Sequence, residues 1–101
     1  MLVAFSVAPS GTGRADGSVH DAVAAAVKVV RDSGLPNQTD SMFTTIEGEW
    51  DEVFAVIKKA TDAVGEYGSR ISLVVKADIR PGYTGEITGK VERLNQALEQ
   101  R

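Results

Sequence analysis

The order in which strand-like and helix-like patterns follow one another is the strongest constraint on the fold of this chain. The predicted elements are a strand over 2–8, a helix over 18–33, short strands over 35–39 and 43–47, a helix over 50–66, a strand over 71–80 and a last helix. Two right-handed β-α-β crossovers joined by a hairpin form an antiparallel sheet with both main helices on one face. The sequence therefore predicts a ferredoxin-like α+β fold, a β-α-β-β-α-β sandwich with an extra C-terminal helix.

Two of the strands rest on clear residue patterns. Leu2–Ala8 is short and rich in β-branched and small apolar residues, which predicts a strand buried on both faces, and Pro9 is expected to end it. In Ile71–Arg80 every second residue from Ile71 is apolar and the alternate set is mostly polar, until Pro81-Gly82 interrupts the run.

The helices have recognisable ends. The Ser18 hydroxyl is suited to cap the first helix, and Gly34 is suited to end it. The second helix should direct Trp50 inward with its other apolar residues, and Thr84 or Thr88 is expected to cap the last helix.

One face of such a sheet has no helix over it. In the first strand neither alternating set is hydrophilic, so this open face is too apolar for a monomer in water. We therefore expect another copy of the chain to cover it by sheet packing, giving a homodimer or a homotetramer.

Size and composition exclude several classes of protein. At 101 residues the chain is expected to form a single domain over 1–101. Its net charge of −3, with scattered Lys and Arg, argues against nucleic-acid binding. The absence of cysteine removes disulfides and thiolate chemistry, and no apolar run is long enough to span a bilayer. We expect a cytoplasmic protein without a membrane partner.

The glycine-rich stretch SGTGRADGS is not a nucleotide-binding loop. Gly11, Gly13 and Gly17 are spaced one residue wider than the dinucleotide fingerprint, and the Lys of a Walker loop is missing. A connector with a capped helix start is the simpler interpretation, although free amides at Ser18 and Val19 remain suited to an anion or a polar ligand edge.

Several short motifs resemble one known family. They are 9–13, 18–19, 33–35, the run MFTTIEGE over 42–49, 51–53, Arg70 and the Lys76-x-Asp78-x-Arg80 strand. Together they are similar to the thiamine-binding protein family, also called UPF0045 and related to the YkoF-type proteins. The resemblance covers nearly the whole chain. It implies a ferredoxin-like fold, homo-oligomers, typically tetramers, built through the sheets, and binding of thiamine or its hydroxymethylpyrimidine part without known catalysis.

An aminopyrimidine needs an acceptor for its exocyclic amine, hydrogen-bond partners for its ring, and an apolar surface to stack on. Glu47 is the predicted acceptor, and Asp78 is suited to attract the cationic thiazolium. Ser6, Asn37 and Thr44 are the predicted neutral hydrogen-bond partners. The ring is expected to stack on Phe43, Met42 or Trp50, and Ser18 is a further predicted contact.

Each of these residues also has a purely structural interpretation. Glu47 and Asp78 are equally suited to pair across strands with nearby basic residues. Thr44 is explained by strand propensity, Phe43 by packing, and Ser18 by helix capping.

Catalysis has little support in the sequence. His20 is the only histidine and is expected on the surface, where a role as general base or metal ligand is disfavoured. We therefore predict a non-enzymatic binding protein with no cofactor and no metal. The alternative is a small enzyme or regulatory oligomer that uses the same inter-subunit cleft for another ligand, since this fold hosts many functions.

Overall fold

The computed structural model describes residues 1–10 and 20–100. The elements are β1 (Leu2–Ser10), α1 (His20–Asp32), β2 (Asn37–Thr39), β3 (Thr44–Glu47), α2 (Trp50–Val64), a 3₁₀ turn (Gly65–Tyr67), β4 (Arg70–Asp78) and α3 (Glu86–Glu99). The predicted order, the hairpin and the last helix are confirmed. Among the described residues, no helix has the length and apolar character needed to cross a membrane.

The four strands form one antiparallel sheet in the order β2-β3-β1-β4. β1 pairs with β4 along its whole length, from Leu2 opposite Asp78 to Ser10 opposite Arg70. Its pairing with β3 covers only Leu2 to Phe5. This is the ferredoxin-like arrangement, and it confirms the predicted α+β fold.

The core lies between the sheet and the helix pair α1 and α2. Apolar side chains at alternate positions of β1 meet the stripe of each helix, and alanines on both helices allow close approach. The buried core residues are Val3, Phe5, Val7, Ala22, Ala26, Val30, Ile46, Val53, Val56, Ile57, Ala60 and Val64. β1 therefore has one buried face, whereas the sequence predicted burial on both.

Three local expectations are wrong. Pro9 does not end β1 but pairs with Ile71, because none of the described strands pairs with β1 on its β3 side beyond Phe5, and such an edge tolerates a residue without an N–H. Trp50, the first residue of α2, does not point into the core: it is 54% exposed and stacks on Phe54, with ring centroids 4.9 Å apart.

The third concerns the start of α3. Neither Thr84 nor Thr88 caps this helix. Its N-cap is Gly85, which has a φ of 65° and makes no side-chain capping bond. The carboxylate of Glu47, in β3, accepts the first amides of the helix instead.

The open face of the sheet is only partly covered. The residues of β1 that face it, Leu2, Ala4, Ser6 and Ala8, are half-buried, whereas Val74 beside them on β4 is 53% exposed. α3 begins over one end of this face, and every residue from Lys90 to Gln100 is exposed. The radius of gyration, 15.4 Å, exceeds the value of about 13 Å typical of a compact domain of this length.

Candidate functional site

A cleft of about 330 Å³ lies between α1, the turn that joins β2 to β3, and the edge of β1. Its walls combine apolar side chains from all three elements with a group of hydroxyls and one carboxylate. The lining residues are Phe5–Ala8, Val23, Ala26, Val27 and Thr39–Thr44. A cavity of this size and character is typical of a small-molecule site.

The turn over the cleft is ordered by Asp40. Its Oδ1 accepts hydrogen bonds from the amides of Met42 (2.8 Å) and Phe43 (2.9 Å), and its own amide donates to the Phe43 carbonyl at 2.9 Å. The amides of Phe43 and Met42 thus hold the pKa of Asp40 below its ordinary value. The turn therefore keeps a negative charge at the cleft at neutral pH.

The hydroxyl groups of the cleft lie on two paired strands. Thr39 and Thr44 are opposite each other in the β2–β3 ladder, and their hydroxyl oxygens are 3.1 Å apart. Thr44 is 7% exposed. Because a hydroxyl both donates and accepts, this pair retains capacity for one further polar partner.

The edge of β1 adds main-chain groups to the same place. Ser6, Val7 and Ala8 pair with β4 on one side, while on the other side the ladder with β3 stops at Phe5 opposite Thr44. In an antiparallel strand, half of the main-chain donors and acceptors point to each side. Within the described residues, no strand pairs with that second side, so these groups face the cleft.

Four residues predicted from the sequence line the cleft: Ser6, Phe43 and Thr44, together with Met42, the alternative ring platform. Asn37 does not line it, and its side-chain amide donates to the Leu35 carbonyl at 2.8 Å. Ser18 lies outside the described residues.

The two predicted carboxylates lie together at another place, the end of the open face. Glu47 and Asp78 both pair with Leu2, one from each side. Asp78 forms an ion pair with Lys90 of α3, which lowers the pKa of Asp78. The sequence had suggested an ion pair with a basic residue on a neighbouring strand instead.

Glu47 is fully engaged within the protein. Its Oε2 accepts the Glu86 amide at 2.9 Å and its Oε1 accepts the Ile87 amide at 3.1 Å. Glu47 is 7% exposed and contributes to a second, more open cavity of about 470 Å³ with Tyr83 and Met1. The chemistry of this carboxylate in the present structure is that of a helix cap.

Asp40 and Thr39 are not among the site residues predicted from the sequence. The available signal was the polar turn at Asp40-Ser41, which predicts a turn whether or not a ligand lies beneath it. Among the described residues, no group of three or more His, Asp or Glu side chains is suited to hold a metal ion.

Comparison with known proteins identifies the family. The sequence profile of a family described as "Thiamine-binding protein" matches residues 3–95. A UPF0045 protein from Mycobacterium bovis is 52% identical over 99 residues, covering 97% of this chain and 94% of that protein. A UPF0045 protein from Synechocystis is 35% identical over 100 residues, covering 98% and 80%.

Solved structures have the same fold. A hypothetical protein from Methanocaldococcus jannascii matches with a TM-score of 0.81 and 28% identity over 93% of this chain and 94% of its own. A Thermotoga maritima protein, provisionally assigned to thiamine biosynthesis or salvage, matches with a TM-score of 0.74 at 23% identity, covering 90% and 96%. Profile, sequence and fold agree over nearly the full length, and the chain belongs to the thiamine-binding protein family, UPF0045.

Proposed function

We propose that this protein binds thiamine or its hydroxymethylpyrimidine part in the 330 Å³ cleft, without turnover, as a homodimer or homotetramer. The observation that carries the proposal is the meeting of Ser6, Phe43 and Thr44 with the charged Asp40 turn in a cleft of a thiamine-binding family member.

Each part of the ligand has a matching group in the cleft. The flat pyrimidine ring packs against Phe43 and the apolar side chains of α1. The Thr44 hydroxyl and the main-chain groups of β1 from Ser6 onward, where no described strand pairs on the β3 side, serve the ring nitrogens and the exocyclic amine. Asp40 supplies the negative charge for the thiazolium cation of thiamine.

Glu47 and Asp78 contact no ligand in this proposal. Both oxygens of Glu47 accept amides of α3, and Asp78 pairs with Lys90. A ligand at Glu47 would have to displace the first amides of α3, and a ligand at Asp78 would have to compete with Lys90. Their contribution is to position that helix.

Assembly through the open sheet face is part of the proposal. Leu2, Ala4 and Val74 leave an apolar surface there that water solvates poorly, and a second copy offers the same surface. Light scattering should return at least twice the mass of one chain at micromolar concentration. A monomer mass would contradict this part of the proposal.

Calorimetry with thiamine and with hydroxymethylpyrimidine tests the site. Thr44→Val keeps the shape of the side chain and removes its hydroxyl, so the affinity for both compounds should fall about threefold to tenfold. Thr61→Val, on α2 and outside the cleft, is the matched control and should leave both affinities unchanged.

The variant Asp40→Asn distinguishes the binding of thiamine from the binding of hydroxymethylpyrimidine. An Asn oxygen still accepts the two amides that order the turn, while the charge is lost. We expect thiamine, a cation, to lose more affinity than the pyrimidine part. Absence of binding by the wild type at millimolar ligand would overturn the proposal, and consumption of the ligand during incubation would favour the alternative, a small enzyme.

A further inference from the structure

Charge is distributed unevenly around the 330 Å³ cleft. Among the described residues that line it, Asp40 is the one ionisable side chain, and no lysine, arginine or histidine accompanies it. The carboxylate stays ionised at neutral pH, because the amides of Phe43 and Met42 hold the pKa of Asp40 below its ordinary value. The described part of the cleft therefore carries a negative charge that no basic side chain balances.

The turn over the cleft has already used the amides that could bind an anion. Consecutive main-chain amides in a turn bind phosphate when their N–H groups point to one place. Here Asp40 Oδ1 accepts the amides of Met42 at 2.8 Å and Phe43 at 2.9 Å, and the Asp40 amide donates to the Phe43 carbonyl. Each amide has a single hydrogen. The Asp40 carboxylate thus occupies the place in the turn that an anion of a ligand would take.

The helix α1, which forms the opposite wall, is equally unsuited to an anion. Its contribution to the cleft is three apolar side chains. Asp21 already places a carboxylate in the first turn of the helix, where the helix dipole favours negative charge. The basic side chains of His20, Lys28 and Arg31 line a neighbouring depression on the same helix and do not line the cleft.

We propose that the cleft accepts thiamine and hydroxymethylpyrimidine with a free hydroxyl group and excludes their phosphate esters, and that Asp40 determines this specificity. The inference rests on the proposed function and restricts its ligand to one chemical class. Phosphorylation of the hydroxyl group that each ligand carries would therefore release it from the protein.

The position of the ester group explains the expected size of the effect. In thiamine the hydroxyethyl arm is attached to the thiazolium ring, which Asp40 attracts, so a phosphate on that arm lies on the same side of the cleft as the carboxylate. A phosphate monoester carries a charge of about −1.5 to −2 at neutral pH. At a separation of about 7 Å, repulsion by Asp40 in a medium with the dielectric constant of water lowers the affinity about sevenfold, and a lower dielectric constant lowers it more.

Calorimetry at low ionic strength tests the specificity. Thiamine is compared with thiamine monophosphate, and hydroxymethylpyrimidine with its phosphate ester. Each ester should bind the wild type at least fivefold more weakly than its parent compound, and the difference should shrink at about 0.5 M salt because exposed charges are then screened. Equal or tighter binding of the esters would overturn the inference and leave the proposed function intact. Absence of binding by all four compounds would contradict both.

Two variants of the turn test the role of Asp40. Asp40→Asn still accepts both amides but has no charge, so the ratio of ester to parent dissociation constants should fall to about twofold or less. Asp62→Asn removes the same charge from α2, outside the cleft, and should keep the wild-type ratio. An unchanged ratio in Asp40→Asn would overturn the role of Asp40.

Ser41→Lys provides a test that loss of folding cannot imitate. Ser41 is exposed and lines the cleft, so a lysine there places a positive charge next to Asp40. The affinity for thiamine monophosphate should rise at least fivefold relative to that for thiamine, and absence of this gain would contradict the proposal. Preferred binding of esters that is lost in Arg31→Gln would place the phosphate in the depression on α1 and would also overturn it.

Discussion

Removal of the Glu47 carboxylate should release α3 from the sheet. In Glu47→Ala the amides of Glu86 and Ile87 lose their acceptors. Glu86 is 7% exposed, so water replaces its bond poorly, whereas Ile87 is half-buried and regains part of the loss. A hydrogen bond to a charged group contributes about 1.5–3 kcal/mol, so we expect the contact of α3 with the sheet to weaken by about 2–4 kcal/mol.

The loss should be local rather than global. α3 contributes almost nothing to the core, whose buried residues lie on β1, β3, α1 and α2. Local opening of α3 therefore requires less free energy than unfolding of the domain. The sheet and the two core helices should stay folded in Glu47→Ala while α3 opens more often.

Amide hydrogen exchange followed by mass spectrometry measures this opening. Peptides from Glu86–Glu99 should exchange about 30-fold to 700-fold faster than in the wild type, while peptides from α2 keep their rates. Glu47→Gln keeps one acceptor oxygen and should have a smaller effect. Glu66→Ala, at an exposed acid of the 3₁₀ turn, is the control. Wild-type protection of α3 in Glu47→Ala would refute the reasoning.

Two further predictions concern pH and backbone packing. A hydrogen bond from a basic α3 side chain holds the pKa of Asp78, and likewise of Glu86, below its ordinary value. Both ionised carboxylates therefore stabilise the folded state at pH values above the unfolded carboxyl pKa of about 4, and this stabilisation is lost as the pH falls towards their folded pKa values. Far-UV circular dichroism should therefore show loss of α3 below about pH 4 before the sheet unfolds. Simultaneous loss of the helix and sheet signals would contradict this prediction. A Cβ at Gly68 would lie 2.5 Å from the Ser10 carbonyl oxygen, so Gly68→Ala should lower the free energy of unfolding by about 1–3 kcal/mol in urea titrations. Gly65→Ala meets no atom within 4 Å and is the matched control, and equal stability of the two variants would exclude the clash.

The fold was predictable because each element has a local signal. The stripes of α1 and α2, the alternation in β4 and the turn residues between them determine the element order, and that order permits few topologies. The extent of β1 was not predictable, because Pro9 is tolerated only where β3 stops pairing, and that depends on the register.

The site was predictable in part, because the predicted topology determines which strand residues are neighbours. Ser6 and Thr44 lie at neighbouring positions of paired strands, so a correct topology brings them together. The capping of α3 by Glu47 joins residues about 40 positions apart in the sequence, and no local pattern indicates it. Asp40 lies in a stretch with an ordinary turn pattern. Its position over a cleft depends on where α1 packs, which the local sequence pattern does not indicate.

The long ladder between β1 and β4 affects how the domain folds during its synthesis. β1 forms its longest pairing with β4, Arg70–Asp78, which begins 60 residues after β1 ends. During synthesis the half of β1 beyond Phe5 stays without a strand partner until β4 has left the ribosome, because β3 reaches only the first half. Closing so large a loop is slow, so nascent chains that stop before β4 expose an open strand edge to aggregation and to chaperones.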